Sequence, residues 1–235
     1  ASTVSGTLGI TSGGAVTDSG TLAITGATTI SASGQDITLD EAASTFGTLA
    51  LTGANVTVTD AGATDLGAST VSGTLGITSA GAVTDSGTLA ITGATTISAS
   101  GQDITLDEAA STFGTLALTG ANVAVTDAGA TDLGASTVSG TLGITSAGAV
   151  TDSGTLAITG ATTISASGQD ITLDEAASTF GTLALTGANV AVTDAGATDL
   201  GASTVSGTLG ITSGGAVTDS GTLAITGATT ISASG

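Results

Sequence analysis

Almost every residue of this chain is met again after one fixed interval: Ala1 returns as Ala68, Ala135 and Ala202. Laid over itself so that Ala68 falls on Ala1, the chain differs at three places. Gly13 is answered by Ala80, Thr57 by Ala124 and Ala147 by Gly214. The sequence reads as three full copies, 1–67, 68–134 and 135–201, and a partial fourth, 202–235, forming one continuous array. A long fixed period overrides the usual reading of length as a domain count. It points to units that cannot bury a core alone and must stack on one another. A catalytic site is a singular place, whereas everything here recurs three or four times.

A shorter cycle runs inside each copy. Gly-Thr-Leu opens a segment at Gly6, Gly20 and Gly47 and again at Gly73, while Asp18, Asp40, Asp65 and Asp85 mark a second phase of the same cycle. The three Asp intervals from Asp18 to Asp85 close one copy, which predicts three unequal coils. Apolar residues fall two apart, as in Leu8/Ile10, Leu22/Ile24, Ile37/Leu39, Leu49/Leu51 and Val56/Val58. That alternation sends one set of side chains inward and the next outward, the pattern of a half-buried strand. Segments of this kind end at SGG, SGQ, DAG or TGA, which supply corners. The only helical candidate, 40–45, is no longer than a turn.

Short strands at about 20–25 residues per coil predict an all-β fold, a parallel β-solenoid with coils stacked about 4.8 Å apart. Such a chain would hold about ten coils, and each copy would advance about 14 Å at that spacing. A propeller blade would call for about 40–45 residues and an aromatic signature, and the only aromatics are Phe46, Phe113 and Phe180. Each Phe is expected to fill one wide corner, and Asn55, Asn122 and Asn189 are expected at turns.

Composition removes whole classes of function. The 19 Asp and Glu meet no Lys, Arg or His, for a formal charge of −19. Without cations the chain has nothing to set against nucleic-acid phosphates or anionic membranes. No apolar run reaches the length of a transmembrane helix, so no membrane insertion is expected. Known sugar-cleaving chemistry on β-helices would want Lys or Arg for substrate carboxylates and rings for sugars, and a phosphate loop would need Lys. The expectation is a non-enzyme without a cofactor. The chain starts and stops inside a repeat, as a segment of a longer array would.

The stretch GTLALTGANVTVTDAGATDLGASTVSGTLGITSGGAVTDSGTLAITGATTISASGQDITL, with its TLxIT strands and its DLGAS and GGAVTDSG turns, resembles the strand repeats of giant bacterial surface adhesins related to filamentous haemagglutinin. The resemblance covers the whole chain and implies a right-handed β-helix. It also implies an extracellular or cell-surface location and a role as an adhesin stalk or fibre whose neighbours are further copies of the same repeat. Two alternatives stay open. One is a filament or sheath assembled from identical chains. The other is a solenoid that binds divalent cations or ice through outward Asp or Thr arrays.

The cation alternative makes a residue-level statement. Aligned coils would place Asp18, Asp40, Asp65, Asp85, Asp107, Asp132, Asp152, Asp174, Asp199 and Asp219 in one column. Carboxylates so close repel unless a cation or hydrogen bonds relieve them. Ca²⁺ takes six to eight oxygens, and the densest acid group in each copy is the best place for it: Asp36, Asp40 and Glu41, then Asp103, Asp107 and Glu108, then Asp170, Asp174 and Glu175. The plainer role for these acids is to accept backbone N–H groups at turns.

Overall fold

The computed structural model describes residues 1–234. Among them the regular structure is entirely strand, in short pieces such as Val16–Thr17 and Thr48–Gly53, with no helix. The chain divides into two compact units, Ala1–Gly114 and Thr115–Gly235. Each is a parallel β-solenoid of about three coils per copy, as the spacing predicts.

In the first unit, one ladder climbs from Leu8 to Thr28, Leu49, Leu66 and Asp85, and its sheet goes on from Val83 to Ile104. A second climbs from Val16 to Ile37, Val56, Leu75 and Thr95. A further step joins Ala23 to Thr45. The sequence separation across one turn runs from 17, between Thr48 and Asp65, to 22, between Leu22 and Ser44. Turns are thus shorter than the Asp intervals suggest. At such steps Ala1–Gly114 makes about six turns, so the expected ten for the whole chain is too few.

This shorter turn changes how the copies stack. Val16 reaches Leu75 in three steps, and Leu75 is the copy of Leu8, which lies eight positions before Val16. One copy is therefore three turns with eight positions left over. Equivalent residues in successive copies do not stack; they land on different sheets. Leu8–Thr11 and its copy Leu75–Ser79 belong to different sheets, and Val16–Thr17 and Val83–Asp85 exchange places in the same way. The second unit repeats the exchange with Leu142–Ser146 against Leu209–Ser213. At the stacking distance of parallel strands, a copy advances about 16 Å rather than 14.

The core is a stack of aliphatic side chains in register. Ile10, Ile30 and Leu51 share one ladder and Val58, Ile77 and Ile97 another. Phe46, Phe113 and Phe180 are buried. Outward positions are filled by Thr, Ser, Gly and Ala, and by Asp in Thr64–Leu66 and its copies. Glycine is required at one corner, where Gly6, Gly26 and Gly47 fall in successive coils. A Cβ on Gly26 would sit 2.5 Å from the Gly6 carbonyl oxygen, and one on Gly47 the same distance from that of Gly26. At the Ser-Gly-Gln turn Gly34, Gly101 and Gly168 take φ of +72°, +75° and +76°, a region that side chains disfavour.

Candidate functional site

The acids are the only ionisable side chains in the sequence, and the turns place them in four separate settings. Asp18 comes first. Its Oδ1 accepts the Asp40 N–H from the next coil at 3.1 Å. The same link joins Asp85 to Asp107 at 2.9 Å and Asp152 to Asp174 at 2.8 Å, and there a second oxygen accepts the Glu108 or Glu175 N–H at 3.4 Å. Burial pushes Asp85 and Asp152 above the ordinary carboxylate value. The two accepted N–H bonds pull them back down, and the neighbouring acids add to the rise. These carboxylates cap the turn that carries the Asp-Glu doublet.

Asp65 belongs to a different setting, and it breaks the expected column. It pairs with Thr48 on one side and Thr84 on the other, while Asp85 pairs with Leu66. Asp85 thus lies one position beyond the partner of Asp65. A one-residue slip turns a side chain to the opposite face. Asp65 therefore lies half-buried on the outer surface, accepting the Thr48 hydroxyl at 2.7 Å and the Ser86 hydroxyl at 2.8 Å. Asp199 has the same partners in Thr182 and Ser220 with Thr218 added, and these hydroxyls hold it below its ordinary value. The ten acids form pairs and singles on alternating faces, not one line.

The third setting holds the proposed ion ligands. Asp36 is exposed at the start of Ile37–Leu39, and Asp40 and Glu41 follow its end. The extended chain between Asp36 and Asp40 separates them by about 13 Å, too far to share an ion whose oxygens lie about 2.3–2.6 Å away. Asp36 instead accepts both the backbone N–H and the side-chain amide of Asn55 at 3.1 and 3.0 Å. Asn55 in turn accepts the Thr74 N–H and hydroxyl, at 3.1 and 3.2 Å. Asp170, Asn189 and Thr208 repeat this three-coil bridge. The Asn residues sit at turns, as expected, and also tie coils together. Asp107 and Asp174 are exposed and Glu108 and Glu175 half-buried on the doublet turns, and Asp103 opens its strand at the surface. Among the described residues no group of three or more acids gathers closely enough to hold a metal ion.

The fourth setting is one that the sequence reading passes over. Asp60, Asp127 and Asp194 are 1% exposed, the most enclosed acids among the described residues. Asp60 Oδ1 accepts the Gly62 N–H at 2.8 Å and its Oδ2 lies 3.2 Å from the Thr64 hydroxyl. Burial lifts its carboxyl above the ordinary value, against the pull of the Gly62 and Phe46 backbone N–H groups. A signal exists in the sequence, because the inward alternation of Val56 and Val58 continues to Asp60. Ser44, Ser111 and Ser178 are equally buried and accept the N–H of Leu22, Leu89 and Leu156.

Apart from these acids, a cavity of about 430 Å³ opens at the first coil, lined by Leu8, Ile10, Leu22, Ile24, Ile30 and Phe46 among others. Its walls are the same ladders that form the core above, so its chemistry is that of the solenoid interior.

A family model described as Repeats of unknown function (DUF5649) matches residues 1–52, 53–119, 120–186 and 187–235, which together cover the chain. Its two inner matches are each as long as one copy of the repeat, in a different phase. No curated protein and no solved structure matches the chain.

Proposed function

We propose that this chain, which belongs to the family described as Repeats of unknown function (DUF5649), is a non-catalytic structural segment of an extracellular bacterial fibre or adhesin stalk. The observation that carries this reading is the unbroken in-register parallel pairing within each unit, coil after coil, by near-identical sequence. Each coil presents its N–H and C=O groups along the stacking axis, so tension across a coil is shared by many hydrogen bonds at once. A solenoid made this way gains length by adding copies, with no new design at any step.

Four further features support the reading. Asp18, Asp85 and Asp152, Asp36 and Asp170, and Asp60 and Asp65 are each engaged by a turn, a hydroxyl or a neighbouring coil, and among the described residues no three acids converge on one point. The −19 charge keeps chains apart in solution. With no Lys or Arg in the chain, trypsin-like proteases have nothing to cut, which suits a chain exposed outside the cell. The resemblance of the TLxIT strands and DLGAS turns to giant adhesin repeats points the same way.

The test is location. Antibody raised against residues 1–235 is applied to intact and to permeabilised cells of the source organism. Labelling of intact cells along extended surface material is expected. Labelling only after permeabilisation would sink the extracellular reading.

A further inference from the structure

Asp60 ends the strand Val56–Asp60 with its side chain turned inward, and the oxygens around it can be counted against the protons available. Its Oδ2 lies 3.2 Å from Thr64 Oγ1, which lies 3.0 Å from Ser79 Oγ, which lies 3.1 Å from the Gly62 carbonyl oxygen. Thr64 is 1% exposed and Ser79 6%, so the set is shielded from bulk water. Three oxygen–oxygen contacts of hydrogen-bond length each need a proton, and two hydroxyls supply two. With an ionised carboxylate one contact always sets lone pair against lone pair.

The copies show which contact the serine proton serves. Ser146 Oγ lies 3.1 Å from the Gly129 carbonyl oxygen and 3.0 Å from that of Gly148. Ser213 is 3.0 Å from the carbonyls of both Gly196 and Gly215. A serine set between two carbonyl oxygens directs its one proton at them, so it accepts from the threonine, and the threonine then has no proton left for the carboxyl. The missing donor is the carboxyl itself.

We infer that Asp60 is a proton-binding site, its Oδ2–H donating to Thr64, Thr64 to Ser79 and Ser79 to the Gly62 carbonyl. The carboxyl takes one proton from solvent, and no covalent bond other than that O–H forms or breaks. The bound proton ties the corner of one coil, through Ser79, to the coil above. The surroundings favour it. Below, Ile37–Leu39 is followed by Asp40 and Glu41; above, Leu75–Ser79 brings Ser79 and no charge; ahead, Thr64–Leu66 carries Asp65, held by Thr48 and Ser86. Every charged side chain near the site is an acid, and the chain has no Lys, Arg or His to hold a carboxylate ionised.

The sign of the linkage follows from burial. A carboxyl whose folded value is raised binds more protons folded than unfolded. Its contribution is fully present below the unfolded value of about 3.9 and is lost as pH rises through the raised folded value.

The test is an NMR titration of the Asp Cγ signals in the unaltered protein. Asp60 can be told from its copies because Thr57 precedes it where the others have Ala124 and Ala191. The midpoint read from the Asp60 Cγ is expected above the ordinary Asp value of about 3.9. A midpoint at or below that value would overturn the proposal. Asp60→Asn provides a second reading, since its amide can donate to Thr64 in place of the carboxyl. Its urea midpoint at pH 7 is expected to equal or exceed that of the unaltered chain, with a smaller change between pH 4 and pH 7. A midpoint that drops at pH 7 and recovers at pH 4 would overturn it too.

Discussion

Residues 135–167 and 202–234 have the same sequence apart from Ala147 and Gly214, and both lie in the second unit. Their surroundings differ. Ile164 is 1% exposed and its copy Ile231 is 50% exposed. Val150 is fully buried and Val217 only half-buried; Thr162 is buried and Thr229 exposed. The registers give the cause. Ile164 has Ile144 below and Leu185 above, whereas Ile231 has Ile211 on one side only. In this fold a coil does not own its core. Half of each strand's burial belongs to the coil above it, so identical sequence has different energetics at different heights.

The sharpest way to break that comparison is to remove the same side chain in both places. Ile164→Ala should cost about 2–5 kcal/mol, as loss of a fully enclosed aliphatic does. Ile231→Ala should cost less than about 1 kcal/mol, since half of that side chain already faces water. Urea unfolding followed by circular dichroism reads both, and amide exchange should find the last coil opening first. Equal losses would mean that in solution another coil covers Ile231, which is what a filament of identical chains joined end to end requires.

A second pair concerns the glycine corner. A Cβ on Gly160 would collide with the Gly140 carbonyl oxygen, and the next coil presses Gly181 as tightly onto Gly160. Gly160→Ala should therefore cost about 1–3 kcal/mol as an overpacked site that cannot move either way. A Cβ on Gly227 meets the Gly207 carbonyl just as closely, but its coil is exposed and can lift. Gly227→Ala should lose less than half as much in the same unfolding experiment. A larger loss at Gly227 would show that the terminal coil is as rigidly seated as an inner one.

These contrasts mark what was legible in the sequence. The inward set Leu8, Ile10, Ile37, Leu39, Val56 and Val58 could be read from alternation alone, and with it the solenoid and about three coils per copy. What could not be read was the step. Aligning Asp residues assumed that like stacks on like, whereas ladder register is set by where apolar side chains meet. Those steps, 17 at the shortest and 22 at the longest, leave each copy eight positions out of phase with the turns beneath it. The single Asp column fails for this reason, and Asp65 and Asp85 face opposite ways. Asp60 was hidden for a related cause: attention to repeated surface acids passes over an acid whose position in the alternation points inward.

The smallest effect in this series is also the most specific. Thr162 occupies a core rung between Leu142 and Leu183, and its hydroxyl is buried without a partner. An unsatisfied buried polar group costs about 1–3 kcal/mol, and valine has nearly the same shape without the hydroxyl. Thr162→Val should raise stability by about 1–2 kcal/mol, while Thr229→Val, at the exposed copy, should stay within about 0.5 kcal/mol of no change. The strand propensities of Thr and Val are close, so the difference between the two variants isolates the desolvated hydroxyl from the backbone. If Thr162→Val instead destabilises, a water bonded to that hydroxyl inside the core would be the physical reason, and the interior would not be the dry aliphatic stack described above. Thr28 and Thr95 repeat the arrangement with the same buried, unpartnered oxygen. Each further Thr→Val change should add a similar increment, because Thr28 pairs with Leu8 and Leu49, Thr95 with Leu75, and Thr162 with Leu142 and Leu183, so the sites share no paired neighbour.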